Sequence, residues 1–244
     1  MDYRITDGYA DPAGSDAYYS ERLLRLPHSL WCFQAPLDMP DIAPLPALQN
    51  GYVTFGSLNN LNKLGPQCIE LWAKLLARLP GSRLLLATVP EGEARRALTQ
   101  QFSALDIAAE RLEFAGRLER KAFQKMFQQV DIALDPFPVN GGTTTCESLW
   151  MGVPVVALLG KRFVSRAGYS LLSALGRPEF VAATPEDYIE IALSLAADLD
   201  QLALTHAGLR AEMAASALTD AASFARHVEA LYQTIWADWC ASAR

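Results

Sequence analysis

Residues 131–159, DIALDPFPVNGGTTTCESLWMGVPVVALL, read as a strand, a glycine-rich turn, a helix and a second strand in immediate succession. DIALDPF is an apolar run of strand length, CESLWMG predicts the first turns of a helix, and Pro154 opens a second apolar run, PVVALL. Strand, turn, helix and strand in this order form the repeating unit of a doubly wound parallel sheet. The stretch therefore predicts an α/β fold.

The turn NGGTTT, between the first strand and the helix, predicts an anion site. A glycine-rich turn into a helix N-terminus leaves backbone N–H groups unpaired beside the positive end of the helix dipole. Glu147, one turn into the helix, can accept two hydrogen bonds from a ribose diol. Phosphate at the helix tip and ribose beside it would make a nucleotide site, with the candidate binding residues Gly142, Thr143, Thr144, Thr145 and Glu147.

The same residues also admit a structural interpretation. Ser and Thr are ordinary helix caps and glycine is an ordinary turn residue, so a single glycine-rich match is weak. Here two glycines, three threonines and a glutamate fall between Gly141 and Glu147. This density favours ligand binding.

Composition limits the class of protein. The 244 residues suit one large domain, or one domain with an appended segment, and 51% hydrophobic residues allow a sizeable core. A net charge of −6 argues against a nucleic-acid backbone as the main partner, because that partner needs clustered cations. The apolar runs are shorter than the ~20 residues that span a bilayer. The N-terminus lacks a basic and then apolar signal segment, so we expect a cytoplasmic protein with no membrane partner.

The sequence offers little for metal or disulfide chemistry. The four cysteines are far apart and form no CxxC, which favours reduced thiols. The three histidines are distant from the glycine-rich turn in sequence, and we interpret each as structural. These residues are Cys32, Cys68, Cys146, Cys240, His28, His206 and His227.

After residue 50, short apolar runs alternate with amphipathic stretches. The predicted strands are 52–57, 83–89, 111–116, 131–137, 154–159 and 179–184. The predicted helices are 67–79, 91–105, 119–129 and 165–175, with mostly helix from there to the end. This alternation predicts a Rossmann-like parallel sheet with helices on both faces.

Three loops should meet at the carboxyl ends of these strands, where such sheets bind ligands. They are FGSLNNLNK, FAGRLER and FPVNGGTTT. A lysine just before a helix suits a pyrophosphate as a mobile point charge, although Lys63 could equally be a solvated surface residue. The polar candidates in and near these loops are Asn59, Asn60, Lys63, Arg117, Arg120, Ser165 and Arg166.

The two ends of the chain differ from its centre. Residues 1–48 are rich in Pro, Asp and aromatics and lack periodicity, which predicts an extended segment running over the domain. The remnant of a preceding domain is the second interpretation of this segment. The last helix carries an apolar stripe that we expect to be core, although it could also dock on a missing domain. The stripe consists of Phe224, Val228, Leu231, Ile235 and Trp239.

The runs FGSLNNLNKLGP, LDPFPVNGGTTTCESLWMGVPVVALLG, SRAGYSLLSALG and FARHVEALYQTIW resemble the C-terminal catalytic lobe of the O-GlcNAc transferase and SPINDLY family. These are inverting glycosyltransferases with the two-Rossmann GT-B fold. The opening segment resembles the end of the family's first catalytic lobe and the interlobe segment. The resemblance therefore implies an interlobe segment over 1–48 and a nucleotide-sugar-binding domain over 49–244. It also implies a peptide Ser or Thr acceptor, and upstream tetratricopeptide repeats.

The resemblance assigns roles to individual residues. Lys63 matches the family lysine that contacts the donor pyrophosphate, and Asn60 matches the polar residue three before it. Thr143 and Thr144 match the pair that binds the phosphates at the helix tip. Glu147 matches the acidic residue that holds the ribose.

Two positions depart from the O-GlcNAc transferase pattern. Gly142 and Phe123 stand where many of those enzymes have histidine. The motif GGTTTCES is closer to the SPINDLY branch, which uses GDP-fucose. The donor is therefore either UDP-GlcNAc or GDP-fucose.

The resemblance implies that Lys63 is catalytic. With the N–H groups of Thr143 and Thr144 it would stabilise negative charge on the leaving diphosphate, a term that is often the largest in catalysis. No metal cofactor is implied, because the crevice loops hold no Asp-x-Asp clamp. No general base is evident, so we expect the chain alone to be inactive. A lipid or small-molecule acceptor, or a non-catalytic nucleotide-binding or regulatory module, are the alternatives.

Overall fold

The computed structural model describes residues 1–242. The strands are β1 (Tyr3–Asp7), β2 (Arg22–Leu26), β3 (Thr54–Ser57), β4 (Arg83–Leu86), β5 (Leu112–Phe114), β6 (Ile132–Leu134), β7 (Val155–Leu158) and β8 (Val181–Ala182). The helices are α1 (Pro46–Asn50), α2 (Pro66–Arg78), α3 (Glu93–Ser103), α4 (Arg120–Met126), α5 (Thr143–Trp150), α6 (Ala167–Leu175), α7 (Pro185–Ala197), α8 (Leu199–Ala214) and α9 (Ala221–Ser242).

Six strands form one parallel sheet in the order β5-β4-β3-β6-β7-β8. The chain builds outward from β3 to β5, then returns to the centre and builds the other way from β6 to β8. The direction reverses between β3 and β6, and ligands of such sheets bind outside the carboxyl ends of the strands at this switch point. The predicted α/β Rossmann-like sheet is confirmed.

Helices cover both faces because successive strand residues point to opposite sides. At β4, Leu84 and Leu86 belong to one apolar core, and Leu85 and Ala87 belong to the other. The first core packs mainly against α2, α3 and α7, and the second against α5, α6 and α8. The two-sided burial explains why the strands read as continuous apolar runs in the sequence.

Element boundaries differ from the predictions at several points. The strands of the main sheet are shorter than the predicted runs, because the ends of those runs lie in the connecting loops. The predicted strand 179–184 is largely a 3₁₀ turn, Pro178–Phe180, followed by the two residues of β8. Helix α5 begins at Thr143, before the predicted CESLWMG, because burial of Thr145 outweighs its weak helix propensity.

Residues 1–48 contain a small sheet that the sequence did not predict. β1 and β2 pair in parallel, from Tyr3 opposite Arg22 to Asp7 opposite Leu26. α1 spans the predicted boundary between residues 48 and 49, and its residue Ala47 belongs to the core of the main sheet. The assignment of this segment to a preceding lobe and a linker stays a prediction.

The apolar stripe of α9 is not core, so the default expectation is wrong. Its first four members are half-buried and Trp239 is 57% exposed. The ring of Trp239 stacks on Trp236 at 5.1 Å, and Arg22 of β2 pairs with Asp238 at 2.5 Å. The reason is position: α9 contacts the small sheet and lies outside both cores of the main sheet.

Candidate functional site

The turn after β6 is held from beneath by a buried carboxylate. Asp135 follows β6 directly, is 1% exposed, and its Oδ1 accepts a hydrogen bond from the Gly141 N–H at 2.6 Å. A Cβ at Gly141 would lie 2.4 Å from Thr145 Oγ1, so only glycine fits this close approach. Thr143, at the far end of the turn, is exposed. Contacts beneath the turn therefore fix its shape and leave its helix end accessible.

The first turn of α5 carries no side-chain cap in the described part of the chain. Gly142 occupies the N-cap position. The Cys146 N–H bonds the Gly142 carbonyl at 3.1 Å, so the N–H groups of residues 143–145 precede the helical ladder. The structural interpretation needed the threonines as caps, and they do not serve that purpose here. N–H groups in this position are available to an anion.

Lys63 reaches the turn from the loop after β3. Its Nζ donates to the Asn140 carbonyl at 2.7 Å and to Asn59 Oδ1 at 3.3 Å. The side chain is half-buried, so it is not a solvated surface lysine. Asn60 does not join it, since its side chain accepts a bond from the Asn62 N–H at 3.0 Å and shapes the loop. The structure thus brings one cation to the glycine-rich turn.

Asp135 also places a titratable group under the turn. Burial raises the pKa of Asp135 to about 7, while the Gly141 hydrogen bond and the charge of Lys63 oppose the shift. Asp135 Oδ2 and Thr145 Oγ1 find no hydrogen-bond partner among the described residues. The sequence analysis missed Asp135. Its signal is a carboxylate at the carboxyl end of a buried strand, directly before the glycines.

Thr88 anchors the loop that carries Lys63. Its Oγ1 accepts from the Leu61 N–H at 3.2 Å and donates to the Asn59 carbonyl at 3.0 Å. The backbone of Thr88 has φ 59°, which is rare for a β-branched residue and costs energy that its surroundings must offset. Sequence analysis missed this residue too, because no sequence pattern marks a threonine with positive φ.

Glu147 lies on the first turns of α5, half-buried, near Arg120. Burial raises the pKa of Glu147, and the charge of Arg120 acts in the opposite direction. Arg120 itself begins α4 and is exposed, 3.9 Å from Asp38. Arg117 is exposed in the loop after β5, and Phe123 is half-buried on α4. Arg120 therefore acts on Glu147 through its charge, with no ion pair between them among the described residues, and Arg117 has no described contact to the turn.

Trp31, from the N-terminal segment, reaches the other side of the turn. A Cβ at Gly142 would lie 3.3 Å from the Trp31 ring, a tight contact that the indole would have to relieve by shifting a few tenths of an ångström. Trp31 Nε1 donates to Ser170 Oγ at 3.0 Å, and Ser170 Oγ donates to Asp7 Oδ2 at 2.5 Å. The site is thus completed by residues far away in the sequence.

Ser165 and Arg166 do not join the turn as ligand groups. Ser165 is buried and its Oγ donates to the Arg162 carbonyl at 2.9 Å. Arg166 donates to the carbonyls of Tyr9 at 2.8 Å and Gly160 at 3.2 Å. Both hold the loop after β7 in place.

The remaining chemistry of residues 1–242 is sparse. No group of three or more His, Cys, Asp or Glu among them could hold a metal ion. No helix in this part of the chain is long and apolar enough to cross a membrane. The four cysteines are free, and burial raises the pKa of Cys68 to about 11 and that of Cys146 to about 12.

Comparison with known proteins agrees with this geometry. A model of "Glycosyl transferase family 41" matches residues 45–228. The chain belongs to glycosyl transferase family 41. This match, together with the similar proteins described next, confirms the resemblance expected from the sequence.

Curated relatives place the chain near the SPINDLY proteins. It is 38% identical to a probable UDP-N-acetylglucosamine–peptide N-acetylglucosaminyltransferase SPINDLY of Petunia hybrida, over 98% of this chain and 26% of the relative. The peptide N-acetylglucosaminyltransferase of Caenorhabditis elegans is 32% identical over 78% of this chain and 16% of its own length. The chain thus spans about a quarter of the length of its SPINDLY relatives.

Solved structures show the fold. A mutant of the Thermobaculum terrenum O-GlcNAc transferase superposes with a TM-score of 0.93 at 38% identity, over 100% of this chain and 46% of the other. Anabaena Alr3699/HepE in complex with UDP-glucose matches with a TM-score of 0.62 at 18% identity, over 94% of this chain and 63% of the other. The second likeness concerns the fold alone.

Proposed function

We propose that this chain is the donor-binding lobe of an inverting protein O-glycosyltransferase, which transfers a sugar from a nucleoside diphosphate to a Ser or Thr hydroxyl. The observation that carries the proposal is Lys63, whose Nζ lies 2.7 Å from the Asn140 carbonyl, beside the uncapped N-terminus of α5. A lysine, free N–H groups and a half-buried Glu147 form a set that suits diphosphate and ribose together.

In the proposed reaction, the acceptor oxygen bonds to the anomeric carbon while the bond from that carbon to the diphosphate oxygen breaks. The departing diphosphate gains negative charge. Lys63 and the N–H groups of Thr143 and Thr144 stabilise that charge, and because they are held before the reaction they need little reorganisation. The acceptor proton passes to a group outside this lobe, since we assign no general base within it.

The names of the relatives support UDP-GlcNAc as the first donor to test. GDP-fucose is the second donor to test, because the GGTTTCES motif favours the SPINDLY branch. Position 142, next to Trp31, is also a glycine where many O-GlcNAc transferases have histidine. No metal cofactor enters the proposal. Arg117 and Arg120 remain candidates for donor contacts at the edge of the site.

The rest of the enzyme belongs to the proposal as well. We infer that acceptor activation and positioning of the acceptor hydroxyl at the donor need the first catalytic lobe, and that tetratricopeptide repeats lie upstream in the natural protein. The relatives' greater length supports this view. We also propose a cytoplasmic location.

The proposal is tested by a thermal-shift panel of UDP, GDP, UDP-GlcNAc and GDP-fucose on the 244-residue chain. A ligand at 100 times its dissociation constant should raise the free energy of unfolding by ~2.7 kcal/mol. Glu147→Gln should reduce the shift because it weakens the ribose contact, whereas Glu186→Gln, an exposed glutamate on α7, should not.

The result against the proposal is the absence of a shift with all four ligands at millimolar concentration. Donor turnover is assayed separately on a version extended upstream, with a Ser/Thr peptide library. A donor that binds without any transfer by the extended protein would favour the non-catalytic module instead.

A further inference from the structure

A groove of about 630 Å³ lies beside the loop after β7. The N-terminal segment contributes Asp11, Tyr18 and Tyr19, and the loop contributes Lys161, Arg162 and Phe163. Its volume is within the range of roughly 300–1,000 Å³ that ligand sites occupy. None of the sequence-predicted site residues lines it.

The wall of this groove is preformed. The Arg4 guanidinium stacks between two rings, 5.0 Å from the Tyr19 centroid and 4.4 Å from that of Phe163. Asp11 accepts hydrogen bonds from Thr6 Oγ1 at 2.6 Å and from the Tyr19 hydroxyl at 2.8 Å. The Asp11 carboxylate also lies 3.8 Å from Arg4 Nε, so the charges of these two wall residues offset each other.

Two cations at the groove remain unpaired. Arg25 of the neighbouring strand β2 pairs with Asp16 at 2.6 Å. Lys161 and Arg162 are exposed, and neither forms an ion pair with a described residue. Tyr18, across from them, is 85% exposed. Adjacent free cations beside an exposed aromatic face suit an extended chain that carries carboxylates.

The groove is joined directly to the candidate diphosphate site. The Asn140 N–H donates to the Val164 carbonyl of the groove wall at 2.9 Å. The carbonyl of the same Asn140 accepts the Lys63 bond at 2.7 Å. One residue, Asn140, therefore joins the groove wall to the lysine.

We infer that this groove binds an acidic segment of the acceptor polypeptide, a few residues from the Ser or Thr that receives the sugar. The inference rests on the proposed function, because it names a preference of the acceptor. An extended peptide advances ~3.3 Å per residue, so carboxylates close in sequence to the acceptor hydroxyl can reach the groove.

The test is fluorescence anisotropy of two labelled peptides on the 244-residue chain. One carries Asp and Glu around a single Ser, and the other has Asn and Gln at those positions. We expect the acidic peptide to bind more tightly. Lys161→Glu with Arg162→Glu should weaken it by about tenfold or more, since two attractive pairs become repulsive. Tyr18→Ala, at an exposed position, should also weaken it.

The matched control is Lys74→Glu with Arg96→Glu, which changes the net charge equally on α2 and α3. Equal binding of the two peptides, or equal losses in both double variants, would overturn the inference. The nucleotide shift is measured on the same protein. If nucleotides raise the melting temperature but the acidic peptide binds no more tightly than its neutral counterpart, only the groove inference is rejected. If no nucleotide raises the melting temperature of the wild-type chain, the proposed donor site is rejected.

Discussion

Two aspartates at opposite ends of the same strand have opposite surroundings. Asp131 precedes β6, and its two oxygens accept the N–H groups of Ala47 and Thr54, each at 2.8 Å. Asp135 follows β6, and only one of its oxygens is bonded, to Gly141. Both are buried, and burial raises their pKa values to about 6 and about 7.

The difference separates structure from function within one strand. At the amino end every oxygen has a partner, which is the ordinary condition of a buried polar group. At the carboxyl end the unpaired oxygen lies under a turn beside a lysine, where an open α/β sheet binds its ligand. We therefore interpret Asp135 as a candidate functional carboxylate and Asp131 as a structural one.

Asp131→Ala should give the largest loss of stability. It leaves two buried N–H groups without an acceptor, so we expect the free energy of unfolding to fall by about 3 kcal/mol. Nucleotide affinity of the folded fraction should not change. Urea denaturation and calorimetry measure the two quantities, and a stability loss below about 0.5 kcal/mol would contradict the structural role.

Asp135→Asn should change how the stability of the protein depends on pH. The folded pKa of Asp135 lies above the usual value of 3.8, so the native state binds more protons and stability falls as pH rises from about 4 to about 7. The slope for this group is at most about 1.4 kcal/mol per pH unit.

Asparagine does not titrate, so the variant lacks the pH-dependent loss of stability that Asp135 causes. It should therefore gain stability relative to wild type between pH 5 and pH 8, as followed by chemical denaturation at each pH. If the free energies of unfolding of the two proteins change with pH in the same way, Asp135 does not titrate between pH 5 and pH 8.

Thr88→Val should give the smallest effect. It keeps the β-branched shape and the positive φ but removes both hydrogen bonds, which costs about 1 kcal/mol of stability. The loop that carries Lys63 should loosen, so diphosphate affinity should drop severalfold. If affinity stays at the wild-type value while stability falls, Thr88 supports the fold only.

The sequence predicted the fold because apolar runs and amphipathic helices alternate along residues 50–200. It also predicted the turn, because two glycines, three threonines and Glu147 are contiguous. It could not distinguish Asp131 from Asp135, since their partners come from other parts of the chain. The β1–β2 sheet could not be predicted for the same reason, because parallel strands pair across a long connection that leaves no local sequence pattern.

Long-range contacts complete the site in ways that a linear reading misses. Trp31 bonds Ser170, 139 residues away, and packs on Gly142. The loop after β7, which we considered for its Ser165 and Arg166, instead supplies a groove wall through neighbouring residues. The sequence pattern predicts where a ligand binds, while tertiary contacts decide which side chains lie at that candidate site.

The most direct test of the account is calorimetric titration of a nucleoside and its diphosphate into wild type, Lys63→Ala and the control Lys74→Ala. We predict that Lys63→Ala weakens diphosphate binding about 10- to 100-fold, leaves nucleoside binding unchanged, and lowers the free energy of unfolding by about 1 to 2 kcal/mol because the hydrogen bonds to Asn140 and Asn59 are lost. Lys74→Ala should match wild type in all three. Equal losses for nucleoside and diphosphate, or no loss for either, would contradict the assignment of Lys63 to the diphosphate site.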